Sequence, residues 1–200
     1  MIQTEALRLF EEQGYAQTTV EEIAEAAAIS PRTFFRYFPS KEDVVIWDEY
    51  DPLALDLVDA RPDNEPLAEM MRSVIRETLG GLYQHDPERL LTRVRLSVAV
   101  PEVRARFLDA QTHGLELLAP LLARKRGTSA DELRLRIVGS ALLAAVFVAL
   151  ELWQRDGGKR DLLALLDDAT DALAEGLREL QPRPRAKTRR GLPLAQDLPE

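Results

Sequence analysis

From residue 20 onward, Val20, Ile23, Ala24 and Ala27 recur at i, i+3, i+4 and i+7, the spacing that lines one face of an α-helix with apolar side chains. Thr19 stands just before this stripe and Glu22 three residues later. That is a capping-box pattern, in which hydroxyl and carboxylate each satisfy an orphan amide at a helix start. Past Ala28 and Ile29, Ser30 offers a second N-cap and Pro31 takes a first helical position, where its missing N–H costs nothing. The pattern predicts one helix ending near Ala27 and another opening at Pro31, joined by a three-residue turn that sets the second across the first. Within the second, Phe34 and Phe38 lie four apart and are expected to dock on the first helix's stripe. Upstream, Met1 and Ile2 already read as part of a helix that closes at Gly14-Tyr15.

The remaining pattern is helical too. A helix capped by Ser40 is expected to run to about Val58, until Arg61-Pro-Asp-Asn-Glu-Pro66 breaks it. Helices follow over about 66–84, 87–100 and 102–125, with Gly114 and Pro120 expected to kink or divide the last. Gly127-Thr-Ser129 stops that run and caps a long helix to Asp156. Gly157-Gly158 ends it, and a final helix covers about 159–180. No strand pattern and no repeat is visible. The fold class is all-α, with a three-helix helix-turn-helix domain over 1–45, a helical domain over 46–180, and a proline-rich basic tail over 181–200 expected to be disordered. The run Ile137–Leu150 is apolar all round but shorter than the roughly 20 residues of a membrane span. Arg134, Arg136 and Glu151 crowd it, so a buried helix is predicted and no membrane partner.

The second helix of the pair turns Arg32, Thr33 and Arg36 away from the predicted core, with Phe35 and Tyr37 at the flanks. In a DNA major groove arginine bonds a guanine edge bidentately and threonine touches a base or a thymine methyl, while a tyrosine hydroxyl reaches a phosphate. Lys41, beside the amides opened by Ser40, suits a further phosphate. Thr18, Thr19, Ser30, Arg32, Thr33, Phe35, Arg36, Tyr37 and Lys41 are therefore the candidate DNA-binding residues. Charge tempers this picture. The chain carries a net −8, and its first fifty residues hold four basic side chains (Arg8, Arg32, Arg36, Lys41) against ten acidic ones. A head with so few cations is expected to bind DNA weakly, since each neutralised phosphate contributes about one unit to the salt slope of binding.

No pattern for catalysis appears. His85 and His113 are isolated, there is no cysteine, and metal-ligand clusters, phosphate-cradling glycine loops and nucleophile elbows are missing from the sequence. No enzyme, no cofactor and no metal site is predicted. The acidic, amphipathic first thirty residues do not read as a signal peptide, so the expected location is the cytoplasm.

The residues Ala6, Leu7, Phe10, Gly14, Tyr15, Thr18, Thr19, Val20, Ile23, Ala24, Ala27, Ser30, Thr33, Phe34, Phe35, Tyr37, Phe38 and Lys41 resemble, in order and spacing, the TetR family of bacterial transcriptional regulators. The resemblance implies an all-α homodimer that binds a palindromic double-stranded DNA operator and releases it when a small molecule enters the second domain. It also implies a repressor whose last two long helices form the dimer interface, with Leu162, Leu163, Leu165, Leu166, Ala169, Leu173 and Leu177 as its apolar surface; packing within the chain's own core is the alternative, since periodicity does not say whose helix lies opposite. Two departures stand out. Ala28 replaces the family's usual turn glycine, at a cost of about 1 kcal/mol for a left-handed conformation. The family's basic arm before the first helix is not seen here, which leads us to expect basic residues upstream.

For the effector, Met70, Met71, Val74, Leu79, Phe107, Leu108, Leu118, Phe147 and Trp153 are the candidate lining of an apolar pocket. The stretches 100–107 and 149–158 resemble the C-terminal domain of TetR regulators that sense acyl-CoA-like molecules. That implies an apolar slot with a cationic mouth, for which Arg93, Arg95, Arg104 and Arg106 are candidates. An activator using the same head, and a helical binding or scaffold protein with weak or lost DNA binding, stay open as alternatives.

Overall fold

The computed structural model describes residues 1–47, 51–127 and 133–179, without the side chains of residues 51, 52, 134 and 177–179. The tail over 181–200 and the Ser129 cap lie outside the described residues. Among the described residues all regular structure is α-helical. The elements are α1 (Ile2–Gln13), α2 (Val20–Ala26), α3 (Pro31–Tyr37), α4 (Lys41–Ile46), α5 (Asp51–Ala60), α6 (Leu67–His85), α7 (Pro87–Ala99), α8 (Pro101–Arg126), α9 (Leu133–Arg155) and α10 (Leu162–Glu179).

The caps form as their residues dictate. Thr19 and Glu22 close a reciprocal box on α2. Ser30 accepts from the Thr33 amide with Pro31 in the first turn of α3, and Ser40 accepts from the Asp43 amide at the start of α4. Gly14 ends α1 at φ 89°, and Ala28 holds the turn between α2 and α3 at φ 54°, the left-handed conformation that the turn demands. Ala6, Leu7, Phe10, Ile23, Phe34, Phe38, Val44 and Val45 form one buried core, into which Val103 of α8 also reaches. The head is thereby seated directly on α7 and α8.

The helix expected from Ser40 to Val58 is shorter than its sequence pattern. α4 stops at Ile46, and Trp47 leaves the helical conformation at ψ 132°. The cause is tertiary capping. Gln3 Nε2 donates to the carbonyls of Val44 (2.8 Å) and Trp47 (2.9 Å), and Arg93 Nε and Nη2 donate to those of Val45 (2.8 Å) and Ile46 (2.9 Å). The carbonyls that a continuing helix would occupy are taken by side chains. In α8 the division expected at Gly114 or Pro120 is not found, and the helix runs unbroken to Arg126. Pro120 and Glu116 face solvent, so the carbonyl orphaned by the proline lies on the wet side, while Ala119, Leu122 and Ala123 anchor the other side in the core.

The apolar face of α10 is largely used within the subunit. Leu162 and Leu166 are fully buried with Leu150, Trp153 and Leu82, and Leu163, Leu165 and Ala169 pack against the same cluster. Leu173 joins a second cluster around Met70, Met71, Val74, Leu122 and Leu142. Of the leucines expected at an intersubunit surface, Leu162 and Leu166 are taken up by the core of their own chain, whereas Leu163, Leu165, Ala169 and Leu173 are only partly buried there. Leu177 lies outside the described side chains. The large apolar side chains left exposed on the long helices are instead Leu133, Ile137 and Val148 of α9, with Leu108 and Leu117 of α8. Residues Leu135–Arg155 are long and apolar enough to cross a membrane by length and composition, yet in this fold they pack on α10, α8 and α7.

Candidate functional site

The outward surface of α3 is built by its inward one. Phe34 and Phe38, with ring centroids 5.5 Å apart, are buried against α1 and α2. Their burial turns Arg32, Phe35, Arg36 and Tyr37 to solvent, with Thr33 half-buried. Arg32, Thr33, Phe35 and Arg36 line one shallow surface depression. The Arg36 guanidinium lies 4.9 Å from the centre of the Tyr37 ring and donates to its hydroxyl at 3.2 Å, so the two side chains are presented as a pair. The hydroxyls of Ser30 and Thr33 stand 2.9 Å apart at the start of the helix.

Two expected contact residues are placed differently. Thr18, named as a candidate DNA-binding residue, is buried, and its hydroxyl donates to the Gly14 carbonyl at 2.9 Å; that reading is corrected, because the hydroxyl closes the loop after α1. Thr19 stays exposed but shares its hydroxyl with Glu22 at 2.9 Å. Its amide and hydroxyl together hold the Glu22 carboxyl below the usual glutamate range. Lys41, expected to face a phosphate, sends its ammonium inward to the carbonyls of Tyr15 (2.9 Å) and Thr18 (3.0 Å), 4.1 Å over the Tyr15 ring centre. Beside it the Tyr15 hydroxyl donates to Glu42 at 2.6 Å. Burial, reinforced by that carboxylate, pushes the Tyr15 phenol well above its ordinary value. Burial alone would raise Glu42, but bonds from Tyr15, its own amide and Ser40, with the Lys41 charge, outweigh it and leave Glu42 below its ordinary value.

Behind α4 lie two adjoining apolar cavities. The first, about 230 Å³, has Val45 and Ile46 of α4 in its wall together with Leu79, Val94, Phe107, Leu143, Phe147 and Leu150. Thr78, Arg93, Ser97 and Gln111 are its polar members. The second, about 500 Å³, is lined by Met71, Leu118, Leu143, Arg106 and His113 and shares Ile46, Phe107 and Gln111 with the first. Of the expected lining residues, Met71, Leu79, Phe107, Leu118 and Phe147 reach these spaces. Met70 and Val74 are instead packed in the core, and Trp153 is fully buried against Tyr83, ring centroids 5.8 Å apart. Leu108 points to solvent at 47% exposure. These four are corrected because they fall on other faces of their helices.

The arginines divide likewise. Arg106 lines the wider cavity and bonds Asp43 through Nε at 2.8 Å. Arg104 lies on the outside, its guanidinium 5.5 Å from the Phe147 ring centre, and Arg95 lines a surface groove with Glu11 and Asp86. Arg93, expected at a mouth, is buried in the wall and caps α4. The signal for this was present: Arg93 interrupts the inward stripe Leu90, Val94 and Ser97 of α7, a position where a cation needs buried acceptors.

A family model for bacterial regulatory proteins, tetR family, matches residues 2–46, and one described as the MftR C-terminal domain matches residues 65–178. The HTH-type transcriptional regulator TcmR of Streptomyces glaucescens is 32% identical to this chain over 84% of it and 79% of TcmR. The structure of Thermus thermophilus FadR, a TetR family transcriptional repressor in complex with lauroyl-CoA, aligns with a TM-score of 0.54 at 27% identity, covering 92% of this chain and 96% of that one. The fatty acid degradation regulator FadR from Bacillus halodurans aligns with a TM-score of 0.59 at 25% identity, over 88% of this chain and 94% of that one.

Proposed function

The chain belongs to the TetR family of bacterial regulatory proteins, and from that premise we propose a cytoplasmic repressor that binds a palindromic operator as a homodimer and releases it on binding an acyl-CoA-like effector. The observation that carries the ligand response is the makeup of the cavity wall. Val45 and Ile46 belong at once to the cavity and to α4, whose first residue follows the recognition helix α3 by only Phe38, Pro39 and Ser40. A molecule that fills the apolar space changes what α4 packs on, and α3 moves with it. The operator is held while two α3 helices match successive major grooves, about 34 Å apart, and is lost when the ligand favours a conformer that does not. The similarity to a FadR that holds lauroyl-CoA supports a long apolar chain as the occupant, with Arg106 and His113 toward its polar end.

In the reading head Arg32 and Arg36 read base edges, Thr33 supports them, and Tyr37 with the flanking Phe35 positions the backbone. Exposed Leu133, Ile137 and Val148 of α9 supply the apolar face for the second subunit. The chain acts through binding, with no catalytic step. The test is selection of bound fragments from a random double-stranded DNA pool at moderate salt, followed by release with lauroyl-CoA. An enriched palindrome that lauroyl-CoA releases supports the reading. The acidic head favours a second reading, a helical binding protein with weak DNA affinity, and absence of any enrichment would move the assignment there.

A further inference from the structure

α4 is gripped at both ends by arginines from the cavity walls, and the two grips differ in kind. At its C-terminal end Arg93 is 7% exposed and bonded to the carbonyls of Val45 and Ile46, with Gln3 holding Val44 and Trp47. That end is locked from inside the protein. At the N-terminal end Arg106 of α8 bonds Asp43, and here the arginine side chain is 41% exposed while the aspartate side chain is 11% exposed. Asp43 in turn closes the start of α4: it accepts from the Ser40 hydroxyl at 2.8 Å, and its amide donates to the same oxygen at 3.2 Å. Ser40 stands two residues beyond Phe38, the C-cap of α3. One hydrogen-bonded path therefore runs from the wider cavity through Arg106, Asp43 and Ser40 to the joint between recognition helix and α4.

We propose that the Arg106–Asp43 ion pair couples effector to operator, and that the effector carries an anionic group which takes Arg106 from Asp43. The inference rests on the reading of the two cavities as the effector site. Arg106 is the exchangeable grip because its side chain is part exposed, so trading one anionic partner for another changes its desolvation little. Asp43 has no such freedom. It is buried, and once Arg106 turns to the ligand its carboxylate retains the Ser40 hydroxyl without the cation that balanced it. The start of α4 loosens, and the α3–α4 joint is released while Arg93 keeps the other end in place. An apolar molecule of the same size without a charge fills the cavity and leaves the grip intact.

Competition for one guanidinium makes a reciprocal prediction that a merely structural pair would not satisfy. Lauroyl-CoA binding is measured by calorimetry on the full chain and on Asp43→Asn, Arg106→Gln and Arg106→Lys. Asp43→Asn should bind lauroyl-CoA about tenfold more tightly, because the competing carboxylate is gone, and Arg106→Gln about tenfold more weakly. Unchanged or weaker binding by Asp43→Asn overturns the proposal. In parallel, amide exchange of α3 and α4 is followed without ligand. Arg106→Gln should accelerate it about tenfold with α9 and α10 unaffected, and Arg106→Lys should restore most of the protection. Unaltered exchange in Arg106→Gln overturns the proposal by itself. If the unmodified chain fails to bind lauroyl-CoA, the acyl effector reading fails, and the exchange experiment still decides the role of the ion pair.

Discussion

The Tyr15 hydroxyl donates a 2.6 Å hydrogen bond to Glu42 across 27 residues of chain, tying the loop after α1 to the first turn of α4. The phenol is raised, so its contribution to stability is complete below the ordinary tyrosine value of 10.0 and is lost as pH rises beyond it. Glu42 is lowered, so its contribution is present above the ordinary glutamate value of 4.5 and is lost as pH falls through the lowered one. Urea unfolding followed against pH should show stability declining above about pH 10, with Tyr15→Phe flattening that limb. An alkaline limb of equal steepness in the variant would count against the assignment.

Lys41 is tied to the same loop by two backbone carbonyls and the Tyr15 ring. Hydrogen bonds from a charged donor contribute about 1.5–3 kcal/mol. Lys41→Met should therefore lower unfolding stability by about 2 kcal/mol in the absence of DNA. A variant of full stability that binds every DNA sequence more weakly would return Lys41 to the role of phosphate contact.

Ala28 holds its turn at φ 54°, where glycine carries no steric cost. Ala28→Gly should stabilise the head by about 0.5 kcal/mol, since relief of the left-handed strain outweighs the extra freedom that glycine gives the unfolded chain. Thermal unfolding of the two proteins checks this, and a lower midpoint for the glycine variant would refute it.

Arg36 and Tyr37 are presented together but are expected to separate in effect. On the selected operator, Arg36→Ala should cost about 1–3 kcal/mol and relax the preference at one base pair, whereas Tyr37→Phe should weaken all sequences alike. Binding to a panel of single-base operator variants distinguishes them. Parallel losses across the panel for both would remove Arg36 from the base readers.

Leu143 lines both cavities, so a larger side chain there fills space that the effector needs. Leu143→Trp should retain operator binding to within about twofold while lauroyl-CoA no longer releases it, because added bulk enters a void instead of a filled core. Release at the original lauroyl-CoA concentration would show that the occupant lies elsewhere.

The features that the sequence determines by itself are those whose interactions are short in range. Capping at Thr19, Ser30 and Ser40, the inward Phe34 and Phe38 and the outward Arg32 and Arg36 depend on residues within a turn or two of one another, so spacing alone specified them, whereas the left-handed Ala28 was legible only through the family resemblance. The all-α class and most helix limits have the same local origin. Tertiary structure alone decided that α4 ends at Ile46, because the groups that cap it, Gln3 and Arg93, are more than forty residues away. It also decided that Lys41 turns to Tyr15, that Leu162 and Leu166 of α10 enter the core of their own chain, and that Arg106 meets Asp43. A helical period names the face a side chain occupies but not the element opposite it, and cavities and ion pairs exist only once those elements have met.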